Sequence, residues 1–357
     1  MVLKIIANLN GGDLVTPDNE LTYKIYGSAD NYSSPIATLG SAINDSKVSV
    51  TAGIVTIENV DIGTEDVFKI SSVDEAGNES ELSDSSFEGF LDEFSTPDFT
   101  LDLNRVNKTY TGFSITIRVK KADVNYEKNI GFVDDELDID AIENFAEGND
   151  AFVSYVFGQS SVVNDSYQQA ESSQPRIAIN GVVILENGKP AMDFDGVDDF
   201  FFTDNYAVEL SANDAQVFAV TTPNGIEGNY LMNEADEADF SSNFILGSND
   251  GEASLWVNVI KFGSAQVNAQ QVFGFEKTGG SGTGTKQFQV YKNGATDGDS
   301  GNATVNEEVF GRTAIGSRAE GTNNFYKGKV QSIIVYKNLD NDYVSIMNTI
   351  KSFYQIT

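Results

Sequence analysis

The stretch PAMDFDGVDDFFF at residues 190–202 decides the fold. Met192 and Phe194 alternate with Asp193 and Asp195, the period of a strand with one face buried. Gly196 breaks that strand, Val197, Asp198 and Asp199 form an acidic turn, and the apolar run at 200–202 begins a second strand. A strand, an acidic glycine turn and another strand read as a hairpin at the edge of a β-sandwich.

The chain downstream of residue 97 fits that reading. Phe113, Ile115, Ile117 and Val119 alternate with Ser114, Thr116 and Arg118, the clearest strand in the sequence. Further strands are expected at 152–157, 182–185, 217–221, 243–247, 254–260, 271–276, 286–291 and 330–336. Two helices interrupt them. The first spans 138–148, with Asp140 and Glu143 spaced as a capping box, Ile139, Ile142 and Phe145 facing inward and Gly148 ending it. The second closes the chain, where Tyr343, Ile346, Met347, Ile350, Phe353 and Tyr354 make an apolar stripe that should lie against the sandwich.

Residues 1–90 read as a smaller sandwich. Leu21, Tyr23 and Ile25 alternate with polar neighbours, Val48 and Val50 and then Ile54, Val55 and Ile57 give two more strands, and Phe68, Ile70 and Ser72 share one face. Strands about ten residues apart fit a small antiparallel sandwich. Between the two, LSDSSFEGFLDEFSTP (82–97) is acidic, serine-rich and aperiodic. Its end, 91–97, is read as a linker, with Phe87, Phe90, Leu91 and Phe94 expected to pack on a domain.

Composition removes much chemistry. None of the 357 residues is Cys or His, so Ser-His-Asp and Cys-His nucleophile systems, thiolate or imidazole zinc sites, haem and redox dithiols are excluded. With 22 basic against 54 acidic residues the net charge is −32, which disfavours nucleic acid and anionic membranes as partners. The opening MVLKIIANLNGG has too short an apolar run for a signal peptide, and no run of 18 apolar residues offers a membrane span.

Asp193, Asp195, Asp198 and Asp199 offer oxygen ligands for calcium, but a solvated turn capping its own amides is the simpler reading, and no metal ligand is assigned. Glycoside hydrolysis needs two carboxylates, ~5 Å apart in retaining enzymes; among 54 acidic residues the sequence singles out no pair. KTGGSGTGTK (277–286) lacks the Gly-Lys-Ser/Thr ending of a phosphate loop and reads as a hairpin loop. Trp256, the single tryptophan, sits in an alternating strand and is read as a packing residue in preference to a sugar platform. No catalytic residue and no cofactor are assigned.

Two resemblances add to this. YKIYGSADNYSSPIATL (23–39) and VFKISSVDEAGNESELS (67–83) are similar to fibronectin type III modules, which implies a spacer or docking role for 1–90. QPRI (174–177), NGKPAMDFDGVDDFF (187–201), QVYKNG (289–294), AIGS (314–317) and FYKGKVQSIIVYKN (325–338) resemble concanavalin A-like, laminin-G-like jelly rolls. YTGFSITIRVKK (110–121) and NIGFVDDELDIDAI (129–142) resemble the jelly-roll catalytic domain of arabinofuranosidases. Relatives carry a Tyr-Asp-Gln-Ser-Gly-Asn-Gly turn where this chain has Tyr155, Gln159, Ser161, Asn164 and Asp165, and they use adjacent cysteines at the sugar site. Those departures imply a protein that is not an enzyme.

The fold expected is all-β: a small Ig/fibronectin III-like sandwich at 1–90, then a concanavalin A-like jelly roll at 98–357 with a short internal helix and a C-terminal helix. The combination resembles phage virion proteins. It implies an adhesive or structural protein on the virion exterior, as decoration, head fibre or tail component, made without a signal peptide and oligomeric within the particle. Expected partners are other virion proteins and host-surface glycans. A glycan-degrading depolymerase and a scaffold without ligand are the alternatives.

Overall fold

The computed structural model describes residues 3–8, 20–27, 34–51, 54–60, 68–79, 90–133, 135–160, 164–203, 210, 213–224, 229–235, 242–249, 252–257, 260–262, 268–297, 300–305, 312–318 and 321–356. The chain divides into two compact units, Met1–Phe87 and Glu88–Thr357. No helix among the described residues is long and apolar enough to cross a membrane.

Among the described residues, the smaller unit holds two antiparallel three-stranded ladders. One joins Leu3–Asn8, Ile54–Val60 and Val48–Thr51; the other joins Pro35–Leu39, Thr22–Gly27 and Phe68–Val73. The alternation at 21–25 delivers Leu21, Tyr23 and Ile25 to the core, where Ile70 meets them. Ser71 and Ser72 are both buried as well, so this strand is covered on both faces. After it the chain turns on Asp74, which accepts the Asn78 N–H at 2.7 Å, and on Gly77, whose φ of 83° suits a residue without a Cβ. Glu79 then returns to the sheet and accepts hydrogen bonds from Lys24 (2.6 Å) and from the hydroxyls of Ser71 and Tyr26. Those donors, Lys24 first, hold its carboxyl at about 2.

The larger unit is a two-layered antiparallel sandwich. The back sheet runs Gly301–Val305, Gly284–Lys292, Gln271–Thr278, Ala215–Pro223 and Lys327–Tyr336, and this last strand carries Phe99–Asp102 and Met192–Asp195 end to end along its other edge. The front sheet runs Val124–Ile130, Ile115–Lys121, Ala151–Val156, Ser166–Tyr167, Phe201–Thr203, Arg312–Ile315, Asn229–Ala235, Ser242–Asn249, Glu252–Val257 and Ile260–Phe262. Side chains from both layers, among them Ile117, Val153, Phe194, Phe201, Phe275, Phe288 and Ile333, fill the space between.

The stretch at 190–202 is not a hairpin. Met192–Asp195 pairs with Arg176–Ile179 and with the back-sheet strand Lys327–Tyr336, whereas Phe201–Thr203 pairs with Ser166–Tyr167 and Arg312–Ile315 in the front sheet. The turn carries the chain from one layer to the other, because Met192, Phe194 and Phe201 all bury into the same inter-sheet core. Both strands were legible from alternation. Their partners were not, since period two says which face is buried and nothing about which strand lies beside it.

Helix α1 spans Ile139–Ala146. Its cap is Asp138, whose side chain accepts the Ala141 N–H at 2.8 Å, and not the Asp140 to Glu143 box expected. Glu143 instead accepts the Val183 N–H at 3.1 Å and ties the helix to the sandwich. Helix α2, Tyr343–Phe353, is capped by Asp342 and lays Tyr343, Ile346, Met347 and Ile350 on the outer face of the back sheet, against Phe218, Val220 and Ile334. Leu91 is buried in this second core and the Phe90 ring stacks on Phe353 at 4.2 Å, so residues at the start of the segment read as a linker are packed into the larger unit.

Beneath the end of α2 lies a buried carboxyl with no cation beside it among the described residues. Asp102, fully buried, accepts the Tyr354 hydroxyl at 2.9 and 3.0 Å and the Asn104 N–H at 2.7 Å. Burial outweighs these neutral donors and pushes Asp102 up to about 7.

Candidate functional site

The core-facing phase of the front-sheet strands fixes what the opposite face carries. Ile115 and Ile117 point inward, so Thr116 between them points out; Val153 and Val156 are core, and a bulge between Val153 and Tyr155 turns Tyr155 outward; Phe201 is core and Phe202 is not. Backbone register then lines these residues up across the sheet: Asn129, Thr116, Tyr155, Tyr167, Phe202, Ala314 and Asn233 are successive partners on six strand pairs. Directly opposed residues bring their Cβ atoms within about 5.5 Å. Three of them, Tyr155, Tyr167 and Phe202, are half-buried aromatics, which makes a continuous aromatic strip on the face away from the core.

Each end of the strip is extended. The Phe157 ring lies 4.7 Å from Tyr155, and Phe113, 48% exposed, lies 6.1 Å from Phe157. Phe113 was expected to continue the buried alternation of 115–119, but it precedes the strand and faces solvent. At the other end Phe200 meets Phe202 edge to face at 4.9 Å and Phe325 lies 6.2 Å from Phe200. A loop closes over this end, with Gly321 at φ 68° so near that an added Cβ would fall 2.6 Å from the Phe200 ring.

A carboxylate anchors the strip. Asp165 accepts the Tyr155 hydroxyl at 2.5 Å and the Gly158 N–H at 2.8 Å, which fixes the ring. Tyr110, near the same end, is pushed up to about 12 by burial and then by the charge of Asp165. Thr116 donates to Asn129 at 2.8 Å, placing amide and hydroxyl groups beside the rings.

Phe200 also joins the strip to the acidic turn. Carboxylate oxygens of Asp195, Asp198 and Asp199 all lie within 4.8 Å of one another. Asp195 Oδ1 accepts the Val197 N–H at 2.7 Å and the Asp198 N–H at 3.3 Å, and Asp199 Oδ2 accepts the Asp195 N–H at 2.8 Å, so the turn caps its own amides as the sequence suggested. Asp199 is 6% exposed, and burial followed by the neighbouring carboxylates pushes it up to about 7. Asp193 is raised too, by burial, and sits in the strand facing Arg176. The turn therefore holds one carboxyl raised to about 7 close beside two others, the environment in which one carboxyl can act as a general acid. The same oxygens form a donor set suited to a hard cation.

The other stretches weighed in the sequence lie elsewhere. Lys277 is buried, pushed down to about 8 by burial, and donates to the carbonyls of Asn213 and Gly280, while Lys286 donates to those of Gly279 and Ser281. The glycine-rich segment is thus a hairpin loop held by its two flanking lysines. Leu255 and Val257 enter the core, and Trp256 pairs in register with Ile245; its side chain lies outside the described residues. The aromatic strip itself was missed, since it is assembled across strands far apart in sequence. Its one sequence signal is that Tyr155, Tyr167 and Phe202 are large aromatics out of phase with the core residues around them.

No family model and no curated protein matches the sequence. Solved structures do match. An arabinofuranosidase in complex with arabinofuranosyl-α-1,2-xylobiose superposes with a TM-score of 0.51 over 73% of this chain and 64% of its own, at 11% identity. In fold the two are alike. An α-L-arabinofuranosidase of glycoside hydrolase family 54 matches over 71% and 62% with a TM-score of 0.48 at 12% identity, and domain 4 of an extracellular arabinanase from Geobacillus stearothermophilus, bound to arabinotriose, over 45% and 77% with a TM-score of 0.35 at 17% identity. The chain therefore spans less than two thirds of the length of the arabinofuranosidases it matches. This finding overturns the expectation of a non-enzyme: an arabinofuranosidase has this fold, so a missing Tyr-Asp-Gln turn and missing cysteines do not exclude catalysis.

Proposed function

We propose that this protein is carbohydrate-active: it seats a glycan on the front sheet and cleaves it as a jelly-roll glycoside hydrolase. The observation that carries the reading is the strip Tyr155, Tyr167 and Phe202, three aromatics in register on a solvent-facing sheet, flanked by Thr116, Asn129 and the Asp165 carboxylate. Pyranose and furanose rings present apolar C–H faces that stack on such rings, and their hydroxyls need the amide and carboxylate groups alongside. The arabinofuranosidase likeness in fold supports arabinose-bearing polysaccharides as first substrates. Asp199, raised to about 7 by burial, is the proposed general acid, with Asp198 as the second carboxyl of the pair.

The experiment is reducing-sugar release from arabinan and arabinoxylan. Wild-type protein is expected to release sugar, with activity falling as pH rises above about 7, where Asp199 loses its proton. Asp199→Asn is expected to lose ~100-fold or more, the usual contribution of a general acid, while still binding polymer. Absence of release by wild-type protein, or an unchanged rate in Asp199→Asn, contradicts the assignment. As part of the same reading we place the protein on the exterior of a phage virion, resting on the sequence resemblance alone; immunogold labelling of particles tests that placement.

A further inference from the structure

Next to the aromatic strip runs a second register row, Glu127, Arg118, Phe152, Arg176 and Asp193. Phe152 is half-buried between two guanidinium groups, with Arg118 at 4.8 Å and Arg176 at 5.6 Å from its ring. Arg118 is 6% exposed, yet its hydrogen bonds all go to neutral acceptors: Gln174 Oε1 at 2.6 Å, Asn125 Oδ1 at 3.3 Å and the Glu171 carbonyl at 3.0 Å. Arg176 forms one long ion pair, Nε to Asp150 at 3.7 Å, and no hydrogen bond ties its Nη groups to a described residue. The charges of Glu171 and Glu127 act on Arg118 and those of Asp150 and Asp193 on Arg176, all without a hydrogen bond, so the guanidinium of Arg176 keeps N–H donors that a further acceptor can use. The carboxylates around the row are Glu127 in the strand beside Arg118, Glu171, which accepts from Asn125 at 2.5 Å, Asp150, and Asp193 across from Arg176. None of them makes a hydrogen bond to either guanidinium.

We propose that Arg118 and Arg176, on either side of Phe152, select glycans bearing an acidic group, a carboxylate or sulfate, on a sugar next to the one stacked on the strip. The inference rests on the glycan reading above. Arg118 also pins the segment 171–174, so it acts as a fixed positive charge, whereas Arg176, with its side chain 40% exposed, is the group that reaches the ligand.

The test is retention of the full chain on two matched pairs of immobilised polymers: glucuronoarabinoxylan against its carboxyl-reduced form, and polygalacturonate against its methyl ester. One acidic form is expected to be retained about tenfold more strongly than its neutral counterpart, the worth of one charge-assisted contact. That preference should disappear in Arg176→Gln, survive in part in Arg176→Lys and weaken with added salt. Equal retention of the acidic and neutral members in both pairs, or a preference unchanged in Arg176→Gln, overturns the proposal and leaves the glycan reading standing. If neither member of either pair is retained by wild-type protein, the glycan reading fails together with it.

Discussion

Replacing Phe194 by alanine will destabilise the larger unit by about 3–5 kcal/mol, the cost of emptying a core position that cannot collapse. Phe194 is 1% exposed and meets Phe201 and Tyr326 edge to face at 5.9 and 6.1 Å, so its ring joins the strand that leaves the back sheet to the strand that enters the front one. Relaxation into the space is blocked. Gly316, at φ 91°, already lies so close that a Cβ there would fall 2.5 Å from the ring, and the backbone on that side is fixed by Gly316 N–H to Leu231 O at 2.9 Å. Trp256 belongs to the larger unit and is the chain's single tryptophan, so its fluorescence in urea follows this unit alone. The midpoint should fall sharply in Phe194→Ala and much less in Phe194→Leu. A small change in the alanine variant would mean that the crossover at 190–202 is not the hub of the core.

The second large effect is a dependence on pH that runs opposite to the usual one for carboxylates. Asp102 in the folded protein titrates at about 7 against 3.8 as its ordinary value, because burial favours the neutral acid. Below pH 4 the group is protonated in both states and its burial carries no cost in charge. Between about 4 and 7 the unfolded chain releases this proton and the folded one does not, so stability falls by up to about 4 kcal/mol and then levels off. Asp199 acts in the same direction, and protonation also relieves the self-repulsion of a chain with 54 acidic residues. Asp102→Asn keeps a neutral partner for the Tyr354 hydroxyl and the Asn104 N–H. In Trp256-monitored urea unfolding it should leave stability near that of the wild type at pH 4.5 and exceed it by several kcal/mol at pH 8. Equal stability of the two proteins at pH 8 would show that Asp102 is solvated or paired in a way the buried network does not provide.

Alternation in 115–119 and at Met192 and Phe194, and the apolar stripe of α2, report burial directly, because a side chain facing water and one facing the core differ in kind. Those elements were legible in the sequence. Strand pairing was not. Met192–Asp195 and Phe201–Thr203 are separated by five residues, the length of a common hairpin loop, and only the shared core of Met192, Phe194 and Phe201 sends them to opposite layers. The cap of α1 was misplaced by two residues because Asp138 and Asp140 are chemically equal and differ only in backbone conformation. The acidic turn was recognisable from its residues, whereas the protonation of Asp199 follows from burial that neighbouring chain segments create. Tyr155, Tyr167 and Phe202 were the least legible of all. They meet through register across three strands, and no local spacing encodes that meeting.

The claim that a glycan lies along this strip is tested most directly by titrating arabinoxylan into the wild-type protein and into Tyr167→Ala, with Trp256 fluorescence in urea confirming that both are folded. Tyr167 sits in the middle of the strip, and Asp165 holds Tyr155 rather than Tyr167, so its removal opens the strip without releasing the neighbouring loop. The account predicts a Kd raised about tenfold or more, the loss of one stacked ring. An unchanged Kd in a folded Tyr167→Ala protein would contradict it.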